Sequence, residues 1–588
     1  MVRKILLTLI AVLGLCAYGF AQNRQVTGKV ADAQGKPVAG ATIMIDGTST
    51  GTTSAADGRF SISAPVNGTL VISFIGYETQ SVAISGKTTV NVTLTEDAHA
   101  IDDVVVTGYG VQRKASFTGA ASIVGDEVLA KRTDANFVKS LEGSVPGLQM
   151  NNSTSAPGVW GSVYVRGRGS LSSGTQPLYV IDGMPVNSDI EDNFDSRSNN
   201  WFDPMSSVNP ADIESVTVLK DAAATAIYGS RAANGVIVIT TKKGTQGNFN
   251  LNVDIKQGFV SMANNTMKLA NAQETAKLFS NGYADTYAGY TPADVYGVPL
   301  DSWSDFVTMA YDWDGKSSYD WMDAITRHGY YQDYNLSASG RVGQTGYYAS
   351  MGYLNSEGLA IGSDLERFSG RVNLDSKFKF FTAGINSSYS YSIQNGFSES
   401  TAGSMNSPTT LALSGRTPLD PIYDENGDYL YATDLVNNYP HPLAVVDSKL
   451  GSLYRTKAQT VNINPYLQVD FGKGIYAKTT LGVNITDQNI YTYYSALYDP
   501  NGVDSNGMGL DFSSKRSVIT WTNVLGWNYT FNEKHAVNLM LGQEMQRKYY
   551  NYSVIEGVNF PLAGEGLRDL TTAGSWNDSA YYKSEATL

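Results

Sequence analysis

Strict alternation of apolar and polar residues dominates the chain after Gly247. In each alternating segment the apolar residues keep one phase, and the residues between them are mostly polar or small. The clearest segments start at Phe381, Val461, Ile475 and Ile519. Because successive side chains of a strand point to opposite faces, these segments predict long β-strands with one apolar and one polar face.

The connections between these segments alternate in length. "VGQTG", "FGKG" and "FNEKH" are tight, whereas residues 261–327, 394–457 and 487–515 are long stretches rich in Gly, Asn, Asp and Tyr. Short turns on one side and long loops on the other, with aromatic strand ends, are typical of a transmembrane β-barrel. A soluble β-sandwich is the alternative, but its strands usually run about five or six residues. Residues 247–588 are therefore predicted to form antiparallel barrel strands.

We expect this barrel to be incomplete. The alternation predicts about nine transmembrane strands, whereas large transmembrane barrels with a filled lumen use about 22. The sequence ends on "SEATL", without the aromatic end typical of such barrels. Because an open sheet edge cannot face hydrocarbon, we expect roughly 400–500 further residues to complete the barrel.

Short strands and turns predict a β-sandwich over residues 22–98. "VTGKV", "ATIMI", "RFSIS", "TLVISFI" and "VNVTL" alternate or bury valine and isoleucine. The segments "AQGKPVAG", "AADGR" and "VNG" between them consist of turn-forming residues.

The first 21 residues are predicted to be a cleaved signal peptide. A positively charged start precedes an apolar stretch at 5–15, and Gly19 and Ala21 occupy the positions that a signal peptidase recognises. The apolar stretch is too short for a membrane-spanning helix, although an uncleaved anchor is the alternative. Cleavage before Gln22 would remove Cys16, the only cysteine of the chain. The mature protein is then expected to contain no disulfide and no thiolate metal site.

A mixed α/β region follows at residues 113–246. "TDANFVKSLEGSVPG" predicts a helix with Thr133 as its N-cap. "SVYVRGRGSL" and "PLYVIDGMPV" predict strands broken by glycine, with Asp182-Gly183 as a hairpin turn. Spacing alone indicates a small domain whose glycines serve turns.

The end of this region, "SVTVLKDAAATAIYGSRAANGVIVITTKKG", predicts a strand, a short helix and a second strand. Asp221 can cap the Ala-rich helix, which is expected to end at Gly229. Asn234-Gly235 then turns the chain into the strand 236–241.

Charge and chemistry exclude several classes of function. The net charge of −13 argues against nucleic acid as a partner. The four histidines fall in separate segments, and no G-x-S-x-G occurs, so metal or triad chemistry is unsupported. Two acidic stretches, at Asp424 and Asp499, do not complete the twelve-residue calcium loop and are expected to be surface turns. We therefore expect neither enzyme activity nor a cofactor.

The segment "DDVVVTGYG" at 102–110 lies between the two predicted folded regions. Its three consecutive valines favour an extended chain, yet no turn folds this strand onto a neighbour of its own. An ordinary edge strand or a plain linker is one interpretation.

Taken in order, these segments resemble the SusC/RagA family of TonB-linked outer-membrane transporters. The most specific piece is "VLKDAAATAIYGSRAANGVIVITTKKG", supported by "VRGRGSL" and "QPLYVIDGMPV", and the sandwich resembles the carboxypeptidase-regulatory-like module, which is non-catalytic. The resemblance implies a mainly β protein with an α/β plug and the first part of a barrel. The implied domains are the signal peptide 1–21, the sandwich 22–98, a TonB box with linker 99–112, the plug 113–246 and the partial barrel 247–588.

The resemblance also assigns roles to particular residues. An extended segment with unpaired backbone groups can add as a strand to a partner's sheet edge, here the periplasmic domain of TonB. The implied TonB box consists of Asp103, Val104, Val105, Val106, Thr107, Gly108, Tyr109 and Gly110. The implied plug motif consists of Arg166, Gly167, Asp182, Gly183, Asp221, Tyr228, Gly229, Arg231, Asn234 and Gly235.

The implied function is TonB-dependent import of glycans or peptides, with a SusD-like surface lipoprotein as a lid. The barrel would lie in outer-membrane lipid, and the sandwich and TonB box in the periplasm. Two other interpretations stay open: a siderophore or cobalamin receptor on the same barrel, and an adhesin or structural protein, which would need neither TonB box nor plug. Five loop aromatics are candidates for sugar stacking or for loop packing, with packing favoured: Tyr287, Tyr290, Trp303, Trp313 and Trp321.

Overall fold

The computed structural model describes most of the chain between residues 23 and 587. The described residues are 23–32, 37–38, 40–46, 48, 50–55, 57–73, 80–94, 104–106, 111–113, 119–131, 133–151, 156–159, 161–170, 174–186, 203–244, 249–263, 268–396, 407–430, 439–447, 451–531, 535–562, 564 and 569–587. The predicted signal peptide lies outside the described residues. The chain divides into two units, residues 1–104 with 112–117 and residues 105–111 with 118–588.

The first unit contains a β-sandwich of two sheets, with strand orders β4-β1-β7 and β3-β2-β5-β6. Its strands are β1 Asn23–Asp32, β2 Thr42–Ile45, β3 Gly51–Thr53, β4 Arg59–Pro65, β5 Thr69–Ser73, β6 Gln80–Ala83 and β7 Val92–Leu94. Alternate residues of the strands point inward, so Val26, Ile43, Phe60 and Leu70 lie in one buried core. The five predicted strands are confirmed, and β3 and β6, short and largely polar, are additional.

Two short strands follow the sandwich, β8 Val104–Val106 and β9 Val111–Arg113, and they pair with each other in a two-stranded sheet.

The second unit begins with an α/β domain built on a five-stranded sheet of order β10-β15-β16-β13-β14, with β11 and β12 paired beside it. Its strands are β10 Ala121–Gly125, β11 Leu148–Asn151, β12 Ser162–Val165, β13 Leu178–Ile181, β14 Met184–Val186, β15 Ile213–Leu219 and β16 Val236–Thr241. Its helices are α1 Asp126–Ala130 and α2 Ala222–Thr225, with 3-10 segments Phe137–Leu141, Pro204–Ser207, Pro210–Asp212 and Ala226–Ala232. This domain, hereafter the plug, has its own hydrophobic core, which includes Phe137, Leu141, Val216, Ile237 and Ile239.

The predicted helix in "TDANFVKSLEGSVPG" is shorter and capped differently. The observed 3-10 segment starts at Phe137, and Asn136 is its N-cap, accepting a hydrogen bond from Val138 N. The prediction of Thr133 as the cap is therefore wrong. Asn136 lies directly before the helical residues, where its short side chain reaches the orphan N–H of the first turn.

A ten-stranded antiparallel sheet, hereafter the wall, forms the rest of the second unit. Its strands are paired strictly in sequence order, from β17 at one edge to β26 at the other, one more than the nine or so expected. The strands are β17 Asn250–Val260, β18 Gly329–Val342, β19 Thr345–Glu357, β20 Asp364–Phe378, β21 Phe381–Gly396, β22 Leu453–Gly472, β23 Ile475–Tyr494, β24 Met508–Phe531, β25 His535–Val558 and β26 Ser575–Thr587. Their lengths exceed those of ordinary sandwich strands, as predicted.

Burial in the wall is inverted relative to a soluble protein. On β24, the alternating Ile519, Trp521 and Leu525 are exposed, whereas Thr520 and Thr522 between them are buried. The other long strands repeat the pattern, so the outer face is apolar and the inner face polar. This arrangement is the one that a membrane-embedded barrel wall requires.

Helices fill the long connections of the wall. They are α3 Ala272–Thr286, α4 Pro292–Tyr296, α5 Trp303–Ala310, α6 Trp321–Ile325, α7 Pro408–Thr410 and α8 Pro500–Val503, with a π segment Leu411–Gly415 and 3-10 segments Ala444–Val446 and Leu570–Thr572. No described helix is long and apolar enough to cross a membrane.

The prediction of a long loop over 487–515 is wrong in its extent, because the observed connection is shorter. β23 continues to Tyr494 and β24 starts at Met508, and Asp487 pairs directly with Lys515 across the two strands. In this stretch the outward Asp511, Ser513 and Lys515 are polar, whereas Ile490, Leu510 and Phe512 are buried on the inward side, so the apolar residues change face although the pairing continues.

Candidate functional site

Two turns of the plug use backbone conformations that favour glycine. Asp182 and Gly183, with φ of 49° and 84°, form the two-residue connection between β13 and β14. Positive φ at both positions defines the tight hairpin turn expected of Asp-Gly, so the predicted turn is confirmed. Arg166 and Gly167, with φ of 59° and 92°, directly follow β12.

Asp221 caps α2, as predicted. Its Oδ1 accepts a hydrogen bond from Ala224 N at 2.9 Å, and its Oδ2 accepts one from Ala120 N at 2.7 Å. The N–H of Ala224, and to a smaller extent that of Ala120, stabilises the charged carboxylate and so lowers the pKa of Asp221. The cap therefore ties the helix start to the segment that precedes β10.

The helix does not end at Gly229 as expected. α2 ends at Thr225, and a 3-10 segment continues to Ala232 with a kink at Gly229, where φ is 65° and ψ is −150°. Gly235 has φ of 92°, and a Cβ there would lie 2.9 Å from the Cβ of Val165. Only glycine fits this close approach at the start of β16.

The last polar residues of the motif reach beyond their own segment. Asn234 donates a hydrogen bond from Nδ2 to Gly174 O at 2.6 Å. Arg231 forms an ion pair with Glu544 of β25, with Nη2 and Oε1 2.6 Å apart, and Tyr228 is buried. Arg231 therefore connects the predicted plug motif to the wall.

Arg367 of β20 binds two separate segments of the plug. Its Nη1 donates to the carbonyl oxygens of Ala135 at 3.1 Å, Ser206 at 2.6 Å and Val208 at 3.2 Å. The side chain is 2% exposed, so these charge-assisted bonds form away from solvent. Arg367 thus holds together the 3-10 segment Pro204–Ser207 and the chain before Phe137.

Arg371 lies four residues after Arg367, on the same face of β20, and its guanidinium lies between two plug carboxylates. Its Nη1 is 3.4 Å from Asp182 Oδ2, and its Nε is 3.6 Å from Asp212 Oδ2. The contact between Arg371 and Asp212 is too long for a hydrogen bond and is an ion pair. Asp182 also accepts hydrogen bonds from the N–H of Thr241 at 3.0 Å and from its hydroxyl at 2.7 Å. One wall cation therefore joins the hairpin turn of the plug to the end of β16.

Further polar contacts join β18, β19 and β20 to the same side of the plug. Asp212 accepts hydrogen bonds from Tyr348 and Ser350, at 2.8 and 2.6 Å. Asn209 Nδ2 donates to Asn335 Oδ1 at 2.7 Å, and Asn373 Nδ2 donates to Lys242 O at 2.7 Å. We call this set of contacts, together with those of Arg367 and Arg371, the latch.

None of the latch residues except Asp182 was among the residues predicted from the sequence. One signal was present: Arg367, Ser369, Arg371 and Asn373 share one face of a predicted strand by the period of two. Charged residues in mid-strand on the polar face of a barrel point inward and need a buried partner. The partner could not be identified, since it lies more than a hundred residues away.

The predicted TonB box is only partly described. The expectation that Val104–Val106 has no local partner is wrong, because this strand pairs with Val111–Arg113. The four intervening residues include two glycines, a connection length at which hairpins are common. Asp103, Thr107, Gly108, Tyr109 and Gly110 lie outside the described residues.

The loop aromatics pack against one another. The Trp303 ring stacks on Tyr283 and Tyr287 at 5.5 Å between centroids. Trp321 is buried and donates from Nε1 to two carbonyl oxygens, and Trp313 Nε1 donates to a carbonyl oxygen at 2.7 Å. Tyr290 alone among the five predicted candidates is largely exposed. Four of the five therefore serve loop packing.

The described residues contain no cluster of His, Asp and Glu that could hold a metal ion. Asp424 forms a surface turn, accepting from Asn426 N and Asp428 N, as expected. The expectation for Asp499 is wrong, because this residue is 1% exposed and accepts a hydrogen bond from Ser452 at 3.2 Å.

Comparison with known proteins agrees with this architecture. Residues 113–236 match the family described as TonB-dependent Receptor Plug Domain, and residues 26–106 match the CarboxypepD_reg-like domain. With its plug, its sandwich and its strand wall, the chain has the domain organisation of TonB-dependent receptors.

Two curated relatives and one solved structure narrow the assignment. TonB-dependent receptor P39 of Formosa agariphila is 32% identical over 91% of this chain and 47% of its own length. TonB-dependent receptor SusC of Bacteroides thetaiotaomicron is 35% identical over 64% of this chain and 34% of its own. The RagAB peptide importer in its "open-open" state is 26% identical over 82% of this chain and 53% of that chain, with a TM-score of 0.63. The chain belongs to the SusC/RagA family of these receptors.

The chain spans about half the length of the curated relatives it matches, or less. Receptors of this family are outer-membrane proteins, and none of the three names denotes an enzyme.

Proposed function

We propose that the protein imports large nutrients, glycans or peptides, across the outer membrane by a TonB-dependent mechanism. The latch carries the proposal: a folded plug is held by buried ion pairs against the polar inner face of a wall whose outer face is apolar. Such a plug closes the lumen at rest, and contacts that are individually strong keep it from leaving without an applied force. An adhesin or structural protein would have no use for a separate plug held in this way.

We further propose TonB and a SusD-like lipoprotein as partners, with the sandwich and TonB box in the periplasm. One relative is named SusC and the structural neighbour is a RagAB peptide importer, which supports the glycan or peptide branch over a siderophore or cobalamin receptor. The pairing of Val104–Val106 with Val111–Arg113 adds a step, because the strand must leave β9, or use its other edge, to join a TonB sheet.

The experiment is Val105→Pro in the full-length protein, expressed in its native host. Proline removes one backbone N–H and fixes φ, so it should spoil a strand docked on TonB. We expect normal surface abundance and normal binding of fluorescent dextrins or casein peptides, with uptake reduced to the level seen after a protonophore. Val105→Thr keeps the N–H and the strand propensity and should preserve uptake.

Gln112→Pro is the matched control, because it breaks the same two-stranded sheet from β9, outside the TonB box. If Gln112→Pro abolishes uptake as Val105→Pro does, the strand pair itself is what matters. Uptake that survives Val105→Pro, or loss of the protein from the membrane, would overturn the TonB-box assignment. Uptake of ferric siderophores alone would support the siderophore receptor instead.

A further inference from the structure

Two neighbouring wall strands, β21 and β22, share a stretch of their inner face that carries no charge. Ten inward positions lie opposite one another in register, from Asn386 with Asn464 to Gln394 with Thr456. Ala458 is the one apolar residue among them. The other nine, hereafter the neutral ladder, are Asn386, Ser388, Ser390, Ser392, Gln394, Thr456, Thr460, Asn462 and Asn464. The ladder extends for about 27 Å along β22, at 3.3–3.4 Å per residue.

Several buried polar atoms of the ladder have no hydrogen-bond partner among the described residues. They are Ser390 Oγ, Ser392 Oγ, Gln394 Oε1, Thr456 Oγ1 and Asn464 Oδ1. Buried polar atoms are nearly always paired, because an unpaired one loses its hydration without compensation. Several such atoms on adjacent strands form the polar surroundings that ordered water occupies. Along the ladder, the seam between plug and wall therefore contains polar atoms that water can satisfy.

The ladder contrasts with the latch on the adjacent strands. On β20, two arginines bind four plug segments. Arg367 binds carbonyl oxygens of two of them, and Arg371 pairs with carboxylates of the other two. On the ladder, the described residues show a single hydrogen bond to the plug, from Gln394 Nε2 to Pro157 O at 2.9 Å. Within the described strands the plug is thus held firmly along β18 to β20 and loosely along β21 and β22.

We infer that the plug separates from the wall first along the neutral ladder, and that the ladder then lines the passage for uncharged, hydrogen-bonding solutes. This inference rests on the proposed import function. Hydroxyl and amide groups can exchange hydrogen bonds with water at rest and with sugar hydroxyls or peptide groups during passage. The absence of charge on the ladder means that no strong ion pair holds a passing solute, whereas the arginines of the latch stay engaged with the plug.

Cysteine accessibility tests the inference in the full-length protein. Cys16, the only cysteine of this sequence, lies in the predicted signal peptide, and Ser→Cys is a small change. Ser390→Cys and Ser392→Cys probe the ladder. Ser350→Cys and Ser369→Cys probe the latch, because Ser350 donates to Asp212 and Ser369 Oγ accepts a hydrogen bond from Asn209 at 3.2 Å. Biotin–polyethylene glycol–maleimide is added to cells growing on starch dextrins and casein peptides, with and without a protonophore. Energised cells should label the ladder variants about tenfold faster, and the latch variants at an unchanged rate.

Each other outcome contradicts the inference. Equal gains at all four positions would mean that the plug leaves as one body. Gains at the latch alone would place the opening elsewhere, and no gain at any position would mean that the ladder is not a passage. Adding Val105→Pro separates this test from the proposed function: if the ladder gain persists in that variant, the seam opens but TonB does not drive it.

Discussion

Replacing Arg371 by methionine should loosen the plug from the wall by about 3 kcal/mol. The side chains of Arg371, Asp182 and Asp212 are at most 5% exposed, so the substitution leaves two carboxylates buried without their cation. Removing one partner of a buried ion pair costs about 3–5 kcal/mol. We take the lower value, since Thr241 and Tyr348 continue to donate hydrogen bonds to the carboxylates. Methionine keeps most of the side-chain volume, so loss of packing adds little.

Amide hydrogen exchange at Thr241 measures this loss, because its N–H is held by Asp182 Oδ1. A cost of about 3 kcal/mol corresponds to exchange roughly 150-fold faster through local opening. Arg341→Met is the matched control: its ion pair with Asp375 is 24% and 20% exposed and should change exchange by less than about fivefold.

A triple variant separates the effect of buried charge from the effect of packing. Adding Asp182→Asn and Asp212→Asn to Arg371→Met removes the stranded charges, and should restore most of the protection at Thr241. Exchange in Arg371→Met within about threefold of the unmodified protein would refute the proposal that this network holds the plug. Failure of the two asparagine substitutions to restore protection would mean that packing, and not charge, is what the arginine contributes.

Three further outcomes are expected. Burial raises the pKa of Asp203 to about 6, so the folded plug holds this proton more tightly than the unfolded chain does. The stability of the plug should therefore fall by at most about 3 kcal/mol as pH rises from 4 to 6. Asp203→Asn should flatten this pH dependence when it is measured by amide exchange in the plug. Gly235→Ala should destabilise the plug more than Gly229→Ala, since both have positive φ but only the first places a Cβ against Val165, and equal melting temperatures would contradict this. Trp321→Ala should cost about 3–5 kcal/mol within the loop structure and speed limited proteolysis of residues 407–447, whereas an unchanged digest would show that the ring is not needed there.

Local features of the plug could be predicted from the sequence, and contacts with the wall could not. The turn at Asp182-Gly183 and the cap at Asp221 depend on groups within a few residues, so residue type and spacing suffice. Arg367 binds Ala135, which is 232 positions away, and no periodicity relates the two. The inward face of β20 could be predicted, but its partner depends on how the plug sits inside the wall.

Two errors show where strand patterns lose information. At the ends of β23 and β24 the apolar residues change to the inward face, so no single phase of alternation marks these strands as far as the pair Asp487–Lys515 and beyond, and the prediction of a loop there is wrong. In the segment at 104–106, three valines correctly predict a strand, but its pairing with 111–113 depends on a connection whose residues carry only a weak turn signal.

The plug keeps its apolar core almost entirely to itself. That core is built from plug residues, and the described apolar contacts with the wall lie outside it, among them Ala135 with Leu354 and Leu365 and Met184 against Gly482. Heat-capacity changes follow mainly the apolar area that becomes exposed, so moving the plug off the wall should change the heat capacity far less than unfolding the plug would. The free energy of release should then vary almost linearly with temperature, without the curvature that unfolding shows. Calorimetry should therefore distinguish release of the plug from its unfolding.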